Sequence, residues 1–408
     1  MLATVRSGDW LSAERVRRVA IVCLIVSVAS LAFLFATAHG TLDWKGRPIG
    51  TDFSEVYTAG QMAWDGQAAR VWDWPTHFAV QRALHHSASV DVYGWHYPPP
   101  FLFVAMAIAS LPYLAGLVAW QAATLGPFML MMRRILGRRD SWLFVAAAPA
   151  TLICVTHGHN GFLTALLLGG GLILIDRKPL VAGLLFGCLV YKPQFAVVIP
   201  LLLLFTLNCR AILGAAVSSL GLIALTLAMW GRSVWEAFFA SLPLTRHVVI
   251  EQGNTGWHKI MSAFSMVRSW GGSIPLAYAV QGAVTVTATG VTLWLARSAR
   301  PALRNAAVSA AVLLSTPYVL DYDFVILGLG IAWLWKDGEE NGFGPWERSL
   351  LAFAWIAPLF ARSLAEYSFI PLGWLSAVAI LAIASSRHRH AAVHVNGLPG
   401  DIARFAAR

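Results

Sequence analysis

Charge is what this sequence has least of. Only 12% of its 408 residues are Asp, Glu, Lys or Arg, about half the share of a soluble globular chain. A water-exposed surface over most of the molecule is thereby excluded. Cysteine is scarcer still. The four cysteines, Cys23, Cys154, Cys188 and Cys209, fall in or at the ends of apolar runs. They have neither the spacing of a metal site nor that of a disulfide framework, and they read as packing residues. Internal repeats and low-complexity tracts are absent too. A transporter built on repeat symmetry loses its usual signature here.

What fills the chain instead is apolar. Hydrophobic residues make up 58% of it and the mean hydropathy is +0.64. Apolar stretches of about 20 residues, the length of a spanning helix, recur along it. The first, Val19 to Ala38, carries no charge. It ends Ala36-Thr37-Ala38, which imitates a cleavage site, but its length favours retention as a transmembrane helix. Further spans are expected near 113–132, 142–156, 161–175, 179–191, 194–208, 211–230, 274–296, 303–319, 323–335, 347–361 and 369–385. The expected fold class is all-α, a polytopic membrane helix bundle with about 12 transmembrane helices. The apolar stretch 98–111 reads as a short dipping helix or an extra span.

Basic residues orient this bundle. With the N-terminus in the cytoplasm, 20 of the 30 Lys and Arg and nine of the 20 acids fall on the cytoplasmic side, leaving +11 there and −1 outside. The net +10 is therefore mostly a positive-inside signal, and a nucleic-acid partner is not expected. The domain plan is a cytoplasmic segment 1–18, a membrane domain 19–385 with outer loops 39–97 and 231–273, and a polar, mobile cytoplasmic tail 386–408. Trp64, Trp72, Trp74 and Phe78 suit interfacial helices in the first loop. The protein is expected in the plasma (inner) membrane with both termini cytoplasmic.

The unusual polar residues all land on the outer side, and segments converging on one face suggest one site there. Asp52, just beyond the first span, is either an N-cap or solvated acid or a general base. Glu55 lies one turn on, sharing that role or completing a cap. Lys192, at a helix break before Pro193, either snorkels to the headgroups or faces a lipid phosphate. His157, His159 and Asn160 form either a plain Gly-rich turn or a sugar- or phosphate-binding one. Asp321 and Asp323 flank Tyr322 in the manner of an acid pair that holds a metal, but on the wrong side for nucleotide sugars. A local hydrogen-bonding role or an acceptor contact fits them better. Arg246, His247, His258, Lys259 and Arg268 in the second loop meet either a phosphate or lipid headgroups.

In order, Asp52-Phe53, Tyr57-x-Ala59-Gly60, Tyr97-Pro98-Pro99, Leu111-Pro112, Gly158-His159-Asn160-Gly161-Phe162-Leu163, Ala182-Gly183, Tyr191-Lys192-Pro193-Gln194 and Pro317 through Tyr322-Asp323 make a series that resembles glycosyltransferase family 87. His159 departs from it, since the family often has Gln there. The resemblance runs from about 45 to about 335 and implies the GT-C fold. It also implies an inverting, metal-independent transfer of a sugar, most familiarly mannose, from a polyprenyl-phosphate donor in the outer leaflet to a lipid-linked or glycan acceptor. No cofactor is implied. Asp52 becomes the catalytic base. Lys192, His157, His159, Asn160, Arg246, His258 and Lys259 become donor phosphate or sugar contacts. Glu55, Tyr57, Tyr97, Asp321, Tyr322 and Asp323 become acceptor contacts or support. The rivals are a lipid-linked-glycan transporter or flippase, a glycan polymerase, and a scaffold.

Overall fold

The computed structural model describes residues 2–195 and 197–396, the last six of them by backbone alone. Among the described residues the protein is helical throughout. It has no β-strand, only isolated bridges such as Ile260 with Leu320. The helices that position the site are α1 (Ala13–Ala36), α2 (Thr51–Trp64), α3 (Trp74–Leu84), α4 (Phe101–Ala109), α5 (Tyr113–Leu136), α6 (Pro149–His157), α7 (Gly161–Leu174), α8 (Pro179–Gly187), α9 (Cys209–Trp230), α10 (Ile274–Ser298), α11 (Pro301–Leu314), α12 (Val325–Asn341), α13 (Glu347–Ile356), α14 (Pro358–Ser368) and α15 (Leu372–Asn396).

Four helices are long and apolar enough to cross a membrane: α1, α5, α9 and α10. A fifth span arises if α13 and α14 count together, although the pair bends by 77°. These are the helices whose ends are best punctuated. Ser12, Asn208 and Ser273 cap α1, α9 and α10 through their side chains, and Gly137 closes α5 in a left-handed conformation. Around α1 only Ala20 and Ser27 are buried, so its apolar surface is left for lipid.

Several apolar stretches form helices shorter than a span requires. The 98–111 stretch yields only α4, nine residues long, or about 14 Å, which does not cross a bilayer. The 142–156 stretch breaks at Ala147-Ala148 before Pro149, giving a Ser141–Ala146 helix and then α6. Proline donates no backbone hydrogen bond, so one continuous helix is not sustained there. Helices α7 and α11 have 14 residues each, about 21 Å.

The core is built around α11. Ala306, Ala307, Ala310 and Ala311 let neighbours approach, and nearly every residue from Leu303 to Leu314 is buried. A helix apolar on all sides belongs in the middle of a bundle. Elsewhere α8 and α9 meet backbone to backbone. A Cβ on Gly183 would lie 2.0 Å from the Ala211 carbonyl, and one on Gly187 would lie 2.2 Å from that of Ala215. Small residues four apart permit this contact where water supplies no drive.

The tail differs from expectation. The sequence 386–408 reads as mobile, yet α15 continues to Asn396 and buries Arg387 and His388. Arg387 bonds Asp337, Glu347 and the Gly342 carbonyl, so its charge is matched and the helix has no reason to stop. Residues 397–408 lie outside the described residues. The first-loop aromatics also differ. Trp64 is exposed, but Trp72 is buried and Trp74 and Phe78 face an internal cavity.

Candidate active site

A cavity of ≈630 Å³ opens where the first loop, the α6–α7 turn, the break after α8, the 246–260 segment and the 318–323 segment converge. That size suits a small-molecule or sugar substrate. At the opposite end of the bundle the basic turns are tied together by Arg138 to Glu339 at 2.9 Å and Arg304 to Asp176 at 2.8 Å.

Asp52 enters the cavity from the first turn of α2, whose start is set by Gly50 at φ 74°. A helix N-terminus favours a carboxylate. The side chain keeps partial contact with the cavity but sits deep in the fold. Burial pushes its carboxyl up from the ordinary range. His157, the Tyr322 hydroxyl and Arg362 pull it back, and Asp321 pushes with burial. Glu55, one turn along, is buried and is driven well above the ordinary range by burial and then by Asp52, with Lys192 opposing. Burial thus biases both carboxyls toward the neutral acid.

Lys192 does not snorkel. It is buried, with Nζ 2.6 Å from Asp323 Oδ1 and 3.1 Å from Asn160 Oδ1, and it lies over the Phe195 ring at 4.8 Å. An ammonium in such a place needs an anion, and Asp323 supplies it. The 3₁₀ turns on both sides of Lys192 aim it inward. Asn160 holds the lysine from behind the cavity wall, and its own Nδ2 is buried without a partner.

The α6–α7 turn is tightly fixed. Gly158 is left-handed at φ +63°, and a Cβ there would meet Phe53 Cβ at 2.5 Å. Its carbonyl accepts from Trp120 Nε1 at 3.1 Å. Gly161 lets the Tyr322 backbone approach, since a Cβ would lie 2.9 Å from that carbonyl. His157 Nδ1 donates to the Ile153 carbonyl at 2.8 Å, which leaves Nε2 for the cavity. His159 stacks on Tyr322 with centroids 3.5 Å apart and meets the Tyr97 hydroxyl at 3.2 Å through Nε2. Burial, then Lys192 and His157, hold its imidazole well below the usual range. It is a neutral ring whose Nδ1 lacks a partner.

Of the remaining sequence candidates, Lys259, Tyr97, Tyr322 and Asp323 line the cavity. Lys259 is brought there because Met261 N donates to the Val319 carbonyl at 2.8 Å. Four candidates stand apart. Tyr57 donates to the Leu111 carbonyl at 2.7 Å and packs on Phe53 and Tyr113. Arg246 is exposed and pairs with Glu251 at 3.3 Å. His258 is not among the lining residues. Asp321 grips Arg362 at 2.8 Å. The acid pair therefore faces two different cations, Arg362 and Lys192, rather than one shared centre.

Sequence reasoning missed several wall residues. Gln194 and Tyr318 lie inside the motif series without having been given a role, and Tyr93 and His96 lie outside it. Trp74 and Phe78 were assigned to the membrane surface. Arg362 offered a signal, a lone cation between two apolar runs.

The family model for glycosyltransferase family 87 matches residues 95–320, more than half of the chain. The match takes in Tyr97, the 157–160 turn, Lys192 and Lys259. It leaves out Asp52, Asp323 and Arg362. No curated protein and no solved structure matches the chain significantly.

Proposed function

The chain belongs to glycosyltransferase family 87, and from that premise we propose that it moves a sugar from a polyprenyl-phosphate donor to a lipid-linked or glycan acceptor. Membrane glycosyltransfer follows from the family and the apolar helices. The donor, the sugar (mannose by the family's commonest habit) and the mechanism are our reading. So are the GT-C fold, a multi-pass bundle in the plasma membrane, cytoplasmic termini and a cavity on the extracytoplasmic side.

One observation carries the mechanism: Asp52 shares a single cavity with Lys192, Lys259 and Arg362. The acceptor oxygen attacks the anomeric carbon from the Asp52 side, and the carboxylate takes the hydroxyl proton. The bond from that carbon to the phosphate oxygen breaks, and its electron pair leaves with the phosphate. A displacement of this kind inverts the anomeric centre. Positive charge develops on the sugar, which a nearby carboxylate favours. Negative charge grows on the departing phosphate, where Lys192 and Lys259 stabilise it. Lys192 and Arg362 arrive with their charges partly offset by Asp323 and Asp321, so Lys259 supplies much of the attraction. The leaving phosphate needs no proton and the scheme needs no metal.

The test is Asp52→Asn in purified, reconstituted protein. We expect donor binding to persist and sugar transfer to disappear, with full wild-type activity retained in EDTA. Undiminished transfer by the variant removes Asp52 as base. Inhibition by EDTA that added metal reverses removes the metal-free scheme.

A further inference from the structure

Helix α14 reaches the cavity through Arg362, from a stretch that carries none of the sequence motifs. It leaves α13 at a 77° bend, so it lies across the direction of an apolar helix rather than along it. At about 100° per residue, Leu359, Phe360, Leu364 and Tyr367 fall within one arc of about 140°, which Ser363 shares and Glu366 borders. All four are exposed. Pro358 and Ala361 are buried on the opposite side, next to Arg362. Trp270 is exposed beside the helix end and donates to the Phe369 carbonyl at 3.0 Å. An apolar outer stripe, a polar inner edge and an adjacent tryptophan are the marks of a helix lying in a membrane surface.

The inner edge carries a cation with unused donors. Arg362 Nη2 sits 2.9 Å from Asp321 Oδ1 and 2.8 Å from Oδ2. Its Nε is buried with no hydrogen-bond partner. An unpaired buried N–H is costly, and this one belongs to a guanidinium that lines the cavity. Asp321 fixes one nitrogen of a planar fork, and the guanidinium borders the cavity next to Lys259, whose 3₁₀ turn (Trp257–Lys259) packs on α14. A guanidinium so held matches a phosphate by two parallel hydrogen bonds.

We propose that α14 lies in the membrane surface as the sill of the cavity. Arg362, gripped by Asp321, recognises the phosphate of a lipid that enters sideways from the bilayer. This rests on the donor reading above and adds the entry side and a phosphate-recognising residue outside the segment that matches the family. The hydrocarbon stays with Leu359, Phe360 and Leu364, and only the phosphate crosses the sill.

The test is binding by full-length protein in phosphatidylcholine nanodiscs, followed by calorimetry. Three probes are compared: a short-chain polyprenyl monophosphate, the matching polyprenyl alcohol, and inorganic phosphate. We expect the monophosphate to bind wild-type protein at least about 10-fold more tightly than the alcohol. Arg362→Ala should lose about 10- to 100-fold of that affinity, with Arg362→Lys recovering only part. Asp321→Asn, which keeps the cation but frees it, should lose less than Arg362→Ala. Inorganic phosphate should compete poorly, because it does not arrive from the lipid. Equal monophosphate affinity in folded wild-type and Arg362→Ala protein overturns the assignment of Arg362. Competition by inorganic phosphate as strong as that of the lipid overturns sideways entry. If wild-type protein binds no monophosphate at all, the donor reading itself falls.

Discussion

Two buried charge clusters sit in this molecule, joined by the same stretch of chain. Asp323, in the 3₁₀ turn that leads into α12, pairs with Lys192 at the cavity. Asp337, about 21 Å further along by helical rise, pairs with Arg387 and Arg300 at the other end. Burial is alike: Lys192 and Asp323 are 3% and 2% exposed, Arg387 and Asp337 6% and 2%. Their satisfaction is not. Every guanidinium nitrogen of Arg387 is engaged, by Asp337, Glu347 and the Gly342 carbonyl. Around Lys192, Asn160 Nδ2 and His159 Nδ1 have no partner and the ammonium borders open space. Arg300, also on Asp337, leaves its own buried Nε without a partner, so what sets the Lys192 cluster apart is that its unmet groups lie beside the cavity. Buried charge alone does not mark a site; unmet hydrogen-bonding capacity beside a cavity does.

The comparison breaks most decisively at Asp52. Asp52→Asn should lower sugar transfer by about 10²- to 10⁴-fold, the range of a lost general base, with no change in thermal unfolding. Initial rates and a melting curve on one preparation check both. Asp337→Asn should do the reverse. It leaves Arg387 and Arg300 short of an anion and should cost about 3–5 kcal/mol of stability, seen as a lowered melting temperature, while the protein that remains folded keeps its turnover per molecule.

Smaller changes sharpen the same contrast. Gly158→Ala forces a Cβ against Phe53 from a left-handed backbone. It should cost about 1–3 kcal/mol and also slow transfer, because Phe53 adjoins Asp52. The pH profile of kcat/KM comes next. Below its pKa Asp52 is protonated and accepts no proton, so activity falls on the acid side. Since burial raises that pKa, the limb should lie above the ordinary aspartate value of about 3.9. Glu55→Gln should have the least effect. A neutral Glu55 is nearly isosteric with glutamine, so the acid limb should stay in place and the rate should change less than about 10-fold. A large shift of the limb would show that Glu55 is ionised and shares the base role.

Much of the site was legible residue by residue. Asp52, Lys192, His157, His159 and Tyr322 stand out because polar groups are rare in an apolar chain and need a reason. Their mutual placement was not legible. Lys192 and Asp323 are 131 residues apart, and either reads equally well as a group seeking water. Apolarity near 142–156 and 347–361 reported neither the break at Ala147-Ala148 nor the 77° bend between α13 and α14. Arg246 and Tyr57 matched the chemistry and the motif, but Glu251 and the Leu111 carbonyl engage them elsewhere.

By itself the sequence determined the solvent, the helical class and the family. These follow from average hydropathy, the spacing of apolar runs and an ordered set of short motifs, all local properties of the chain. Only the tertiary structure decided which charges are matched and which are left open. It gave Arg387, which the sequence assigns to a mobile tail, a partner for every nitrogen, and it turned Arg362 toward the cavity from a helix that the motifs do not reach. The physical reason is that a charge in a membrane protein takes its meaning from its partner, and partners are chosen by packing across the bundle, not by neighbours along the chain.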